Sequence, residues 1–185
     1  MAPLIKLEKA KKRYLDHAFD LTIEKKDFII ISGQNGTGKT TLIQMLLGFI
    51  EPDEGMISKK KLKIGYLPER INLPLFIKVF QYLETLARIK KSELDQELLM
   101  MFNLPLFQSV HTLSKGNQQK LAIVSTFLGT PDLIILDEPL SGLDVKTCHI
   151  FKDYLKKRRD EGLSILISTH QPELFKDLCS RHIIL

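Results

Sequence analysis

At 185 residues the chain is the size of one domain and can bury a substantial core, and its 44% hydrophobic and 26% charged content is ordinary for a globular protein. No apolar run approaches the roughly 20 residues needed to span a bilayer, and the charged start, MAPLIKLEKAKKRYL, lacks an apolar signal core, so nothing in it argues for secretion. The net charge of +5 comes from clusters near the start, at Lys59, Lys60, Lys61 and Lys63, and over 156–159; without interleaved aromatics these read as solvated faces, and nucleic acid is unsupported as a partner.

In chain order, residues 4–8 and 19–24 alternate as short strands, and 28–32 is a fully apolar strand of the kind covered on both faces. A helix is predicted over 39–48, with Leu42, Met45, Leu46 and Phe49 on its inner side. Residues 51–55 read as a turn and 61–66 as a further strand. From 76 to 103 the pattern is helical, with Val79, Tyr82, Leu83, Leu86 and Ala87 in one stripe, and Ser92 with Asp95 reads as a capping box opening a second helix. Residues 133–136 and 164–167 are two more buried strands, and 181–185 a last one. The whole reads as an α/β fold with a small helical subdomain between Tyr66 and Leu113. Cys148 and Cys179 form neither a metal spacing nor a disulfide framework, which suits a reducing cytoplasm. His17, His111, His149 and His182 fall at no motif position.

The stretch ISGQNGTGKTT, residues 31–41, fits the phosphate-loop pattern of Gly, four residues and Gly-Lys-Thr, between a buried strand and a helix. Gly33, Gly36 and Gly38 let backbone N–H groups turn inward around phosphate oxygens, and the helix start adds its partial positive end. Gln34, Asn35, Thr37 and Thr41 complete the candidate nucleotide contacts. Lys39 is placed for the β- and γ-phosphates, and the Thr40 hydroxyl for Mg²⁺. Residues 133–139, LIILDEP, are four apolar residues ending in two acids. Such acids at the carboxyl end of a buried parallel strand face the ligand crevice. Asp137 is then a candidate for the Mg²⁺ shell, and Glu138 for the base or orienter of an attacking water.

Phosphate loops drive many kinds of chemistry, and residues further along narrow the choice. Residues 113–119, LSKGNQQ, resemble the LSGGQ signature of the ATP-binding cassette (ABC) ATPases and stand shortly before the Asp-Glu strand. Ser141-Gly142-Leu143-Asp144 resembles that family's D-loop, and Ser168-Thr169-His170 its switch histidine. The five motifs keep the family's order from residue 33 to residue 170.

The resemblance implies a P-loop NTPase core with a mainly parallel sheet and an N-terminal antiparallel β portion. The core would span 1–69 and 113–185, with an inserted helical subdomain at about 70–112. It further implies that two such domains pair head to tail around two ATP molecules. Each ATP would lie on one copy's phosphate loop and be closed by Ser114 and Gly116 of the other. The Ser114 position, where a helix begins, suits an anion site. By the same resemblance His170 contacts the γ-phosphate, Asp144 links the two sites, and Tyr14 stacks on adenine.

The chain also departs from the family pattern. Glu69, after the stretch Ile64-Gly65-Tyr66-Leu67-Pro68, stands where a glutamine usually reaches the metal, and adds an acid there. Lys115 and Asn117 replace the glycine and glutamine of the signature, while Gly116 is kept. The last strand is one the family normally continues into a hairpin and further helices, so the chain reads as a minimal or trimmed cassette. The expected function is ATP hydrolysis by a cytoplasmic subunit, peripheral on the membrane, that powers a separate transmembrane permease and never touches the transported substrate. The Tyr-Leu-Pro-Glu stretch leans by analogy toward export. The alternatives are a soluble ribosome- or DNA-associated ABC ATPase and an ATP-binding regulatory module without turnover.

Overall fold

The computed structural model describes residues 2–185, which form two sheets with helices packed on both faces of the larger one. The smaller sheet is antiparallel in the order β2-β1-β4, built from Ile5–Lys11 (β1), Phe19–Ile23 (β2) and Glu54–Lys59 (β4). Ile5, Leu7 and Ala10 face Ile23, Leu21 and Phe19, and all six are buried. A bulge between Leu7 and Ala10 places Lys9 at a φ of 49°, and the Asp20 side chain accepts its N–H at 2.9 Å. β4 crosses the bulge at Gly55, where any Cβ would lie 2.2 Å from the Lys9 carbonyl oxygen.

The larger sheet is wholly parallel, in the order β5-β6-β7-β3-β8. Its strands are Phe28–Ser32 (β3), Ile64–Leu67 (β5), Leu133–Asp137 (β6), Ser164–Ser168 (β7) and Arg181–Ile184 (β8). Because side chains alternate along a strand, each apolar run feeds two cores. Phe28, Ile30, Ile134, Leu136, Ile165 and Ile167 pack on one face beneath the helices of the insertion and of the C-terminal half. Ile29, Ile31, Leu133, Ile135 and Leu166 pack on the other against the antiparallel sheet and Lys39–Leu47 (α1).

Between β5 and Lys115–Phe127 (α4) lie Val79–Lys90 (α2), Gln96–Phe102 (α3) and a 3₁₀ turn at Val110–Thr112. Val79, Leu83 and Ala87 bury the inner face of α2, with Tyr82 and Leu86 half-buried beside them. The insertion is tied down through Asp95. Its side chain caps α3 by accepting from the Leu98 N–H at 3.0 Å. It also accepts from the Tyr154 hydroxyl at 2.6 Å and from Arg158 at 3.2 Å, both on Val145–Asp160 (α5). Burial, and then the hydrogen bond to Asp95, push the Tyr154 hydroxyl well above the ordinary tyrosine pKa.

Four expectations need correction. β4 begins at Glu54, inside the segment read as a turn, and continues to Lys59. It is an edge strand whose side chains are exposed apart from a half-buried Ile57, so no alternation marks it. β5 starts at Ile64 rather than at residue 61, because the Lys63 N–H and carbonyl bond to Asp132 outside the ladder. Ser92 does not open the second helix: its N–H closes the end of α2 on the Ala87 carbonyl, and its hydroxyl accepts from the Gly129 N–H, leaving Asp95 as the cap. Phe49 is 69% exposed, because Gly48 in the left-handed region ends α1 and turns the chain outward.

Candidate functional site

Four strands of the parallel sheet end at one edge, and each delivers a motif there. β3 runs into the phosphate loop, β5 into Glu69, β6 into Asp137 and Glu138, and β7 into His170. A cavity of about 320 Å³ lies at this edge. Among the predicted site residues, Tyr14, Asn35, Gly36, Gly38, Lys39, Thr40, Thr41, Glu69, Asp137, Glu138 and His170 line it. Leu15, which carried no motif signal, lines it as well.

The phosphate loop is built as an anion cradle. Gly36 and Gly38 have φ values of 86° and 94°, and a Cβ at Gly38 would also press within 3.1 Å of Leu15 and Phe19. α1 starts at Gly38 with no side-chain cap and no acid in its first turn, so its leading N–H groups face the cavity without a competing carboxylate. The Lys39 ammonium donates to the carbonyls of Gly33 at 2.8 Å and Gln34 at 2.9 Å, which fixes it across the loop with a third N–H still to donate. Gly33, Gln34 and Thr37 do not line the cavity; they shape the loop, with the Thr37 hydroxyl donating to the Gln34 carbonyl at 3.0 Å. Tyr14 stands at the mouth, 65% exposed, its hydroxyl 3.4 Å from that of Thr41.

Opposite the loop are the two acids of β6. Asp137 is only 6% exposed; burial raises its carboxyl pKa, the adjacent Ser168 hydroxyl opposes the rise and the charge of Glu69 adds to it. Glu138 sits at a φ of 48°, in the left-handed region that side chains other than glycine's avoid. Its N–H donates to the Ser168 carbonyl at 2.9 Å, so the strained turn is held by the sheet ladder itself. The turn aims the carboxylate at His170: one oxygen accepts the His170 N–H at 3.4 Å and the other lies 3.5 Å from Nε2. That second oxygen is buried and has no hydrogen-bond partner among the described residues. Burial again raises the carboxyl pKa, with His170 opposing. A strained backbone and an orphaned carboxylate oxygen, on a residue that lines the same cavity as the phosphate loop, mark a place built for something polar to occupy.

The residues present fit Mg²⁺ carried on a phosphate chain. Such a cation needs only one or two protein oxygens beside its waters and phosphates. Thr40 and Asp137 are available on the cavity wall, and no cluster of three His, Cys, Asp or Glu side chains forms a metal cage among the described residues.

Ser114 and Gly116 are not brought to this cavity. They lie at the start of α4, with the Ser114 hydroxyl accepting the Asn117 N–H at 3.3 Å as the helix cap. Gly116 packs on the D-loop, where a Cβ would meet the Gly142 carbonyl oxygen at 2.7 Å. The same helix is bound to the Asp-Glu strand through buried Gln119, whose side-chain amide donates to the Pro139 carbonyl at 2.9 Å. Asp144 caps α5, accepting from the N–H and hydroxyl of Thr147 at 2.8 and 2.7 Å; these bonds hold its carboxyl below the usual range.

Comparison with known proteins agrees with this geometry. The family model described as ABC transporter matches residues 17–141. An uncharacterised ABC transporter ATP-binding protein of Methanocaldococcus jannaschii is 35% identical over 198 aligned residues, covering 100% of this chain and 75% of the relative. A zinc import ATP-binding protein, ZnuC, of Rickettsia bellii is 33% identical, covering 91% of this chain and 76% of the relative. The chain spans between 60% and 76% of the length of eight of the curated relatives it matches. Among solved structures, the dimeric form of a bacterial ABC transporter cassette superposes with a TM-score of 0.84 at 25% identity, covering 98% of this chain and 94% of that one. With the family model spanning the phosphate loop, the signature helix and the Asp-Glu strand, the chain belongs to the ABC transporter family, as an ATP-binding ATPase cassette.

Proposed function

We propose that this cassette takes ATP with Mg²⁺ on the phosphate loop and hydrolyses it to power a separate membrane-embedded partner. The observation that carries this reading is that Glu138, with its strained backbone and a buried oxygen left without a hydrogen-bond partner among the described residues, lines the same cavity as the uncapped start of α1. The loop amides and Lys39 hold the phosphates, Tyr14 lies at the mouth for the adenine, and Thr40 and Asp137 hold the cation. Mg²⁺, when bound, neutralises charge on the β- and γ-phosphates. Glu138 orients the attacking water, and His170, in contact with Glu138, meets the γ-phosphate. In a loose phosphoryl-transfer transition state this positioning matters more than proton removal.

Ser114 and Gly116 belong to the site of a second cassette, and closure of the pair is the power stroke. ATP favours the closed pair because the two halves bind it together, and hydrolysis withdraws that preference. We place the working division at a core of 1–69 and 113–185 and a helical unit of about 70–112 that transmits closure to the permease. The reading places this chain in the cytoplasm, peripheral on the membrane beside its partner; no helix among the described residues is long and apolar enough to cross a membrane. The transported substrate makes no contact with the cassette. Export is the direction favoured by the Tyr-Leu-Pro-Glu stretch; the likeness to a zinc import ATP-binding protein favours import as the second reading. Transport into or out of proteoliposomes reconstituted with the permease separates the two. For the chemistry, Glu138→Gln is expected to keep ATP binding, stop turnover and leave an ATP-stabilised dimer visible by light scattering. Hydrolysis at the wild-type rate would remove Glu138 from its role.

A further inference from the structure

Glu69 stands two residues beyond β5 at the sheet edge that carries Asp137 and Glu138, and lines the same cavity. It is exposed and makes no hydrogen bond or ion pair among the described residues, so nothing in the fold requires an acid there. Its charge nevertheless reaches both β6 acids. The cavity wall therefore sets three carboxylates, Glu69, Asp137 and Glu138, against one lysine, in a chain whose net charge is +5. Lys39 is itself committed to two loop carbonyls. A site for a polyanion that carries an excess of negative charge on its own wall needs a cation to enter with the ligand. A glutamine at 69 would have nearly the same shape and remove one of those charges.

We propose that Glu69 makes this cassette select nucleotide already complexed with a divalent cation and reject the metal-free polyphosphate. The inference rests on the assignment of this cavity to ATP. Metal-free ATP brings about four negative charges and its Mg²⁺ complex about two, concentrated where the cation sits, so a nearby fixed carboxylate repels the first far more than the second. Removing that carboxylate relieves the metal-free form and leaves the complex nearly untouched.

The test is equilibrium binding of ATP to the purified chain by calorimetry at low ionic strength, once with excess Mg²⁺ and once in EDTA. Low salt keeps the charge unscreened. Glu69→Gln is expected to tighten metal-free ATP about tenfold while changing the Mg²⁺ complex less than about twofold. Glu69→Ala should follow Glu69→Gln, and Glu69→Asp should stay with the wild type, which separates charge from shape. Because the side chain is exposed, thermal melts of all four proteins should coincide. An unchanged ratio of the two affinities, or equal shifts in both, overturns the proposal. A wild-type chain that binds neither form overturns the assignment of the cavity to ATP, and the proposal falls with it.

Discussion

Replacing Asp95 with alanine removes three interactions made by one carboxylate that joins the helical insertion to α5. The α3 cap costs about 1 kcal/mol when lost. The hydrogen bond from Tyr154, short at 2.6 Å and directed to a charged acceptor, contributes about 1.5–3 kcal/mol, and its loss strands a buried hydroxyl. The Arg158 pair, with both side chains about a quarter exposed, adds no more than about 0.5 kcal/mol. Because all three share one side chain they do not sum independently, and the expected loss is about 2–4 kcal/mol. That is a large part of the roughly 5–15 kcal/mol that holds a typical domain together. Urea denaturation followed by circular dichroism measures it directly, and the melting temperature should fall by about 5–12 °C for a chain of this size. Tyr154→Phe in the Asp95→Ala background should then cost less than it does alone. A loss below about 0.5 kcal/mol for Asp95→Ala would show that the insertion is held by apolar packing and not by this carboxylate.

Two further outcomes follow from the same structure. The Tyr154 hydroxyl titrates above its unfolded value, so its contribution to stability is complete below about pH 10 and declines as pH rises beyond it. Tyr154→Phe should flatten that alkaline decline in a series of melts, and an unchanged slope would refute the assignment. Gly116→Ala places a Cβ against the Gly142 backbone carbonyl and should destabilise the chain by about 1–2 kcal/mol. A Gly116→Ala chain as stable as the wild type would deny the contact.

The parts of the fold that were legible are those whose burial dictates their composition. β3, β6 and β7 are near-continuous apolar runs because both faces are covered, and their ends point straight to the motif residues. β4 was illegible because an exposed edge strand is held by its backbone bonds to β1, which leave no mark on side-chain choice. Ser92 misled because the serine-to-aspartate spacing of a capping box also occurs where one helix closes just before another opens. In the candidate site the motifs named the chemistry, but not its geometry. The left-handed turn at Glu138, the entry of Leu15 into the cavity and the seat of Gly116 on Gly142 each depend on segments far apart in the chain. Of these, only Gly116 left a trace, as the one signature glycine that was kept.

The Gln119 bond to Pro139 and the close seat of Gly116 on Gly142 have a metrical consequence. Together they hold α4 against the loop that follows Glu138, so the Ser114 and Glu138 ends of this unit keep a fixed separation. In a head-to-tail pair these two ends would serve different nucleotides, and each cassette would act as a ruler whose length sets the distance between the two ATP molecules. A substitution that let α4 slip along that ruler would put the two sites out of step without touching any residue that contacts phosphate.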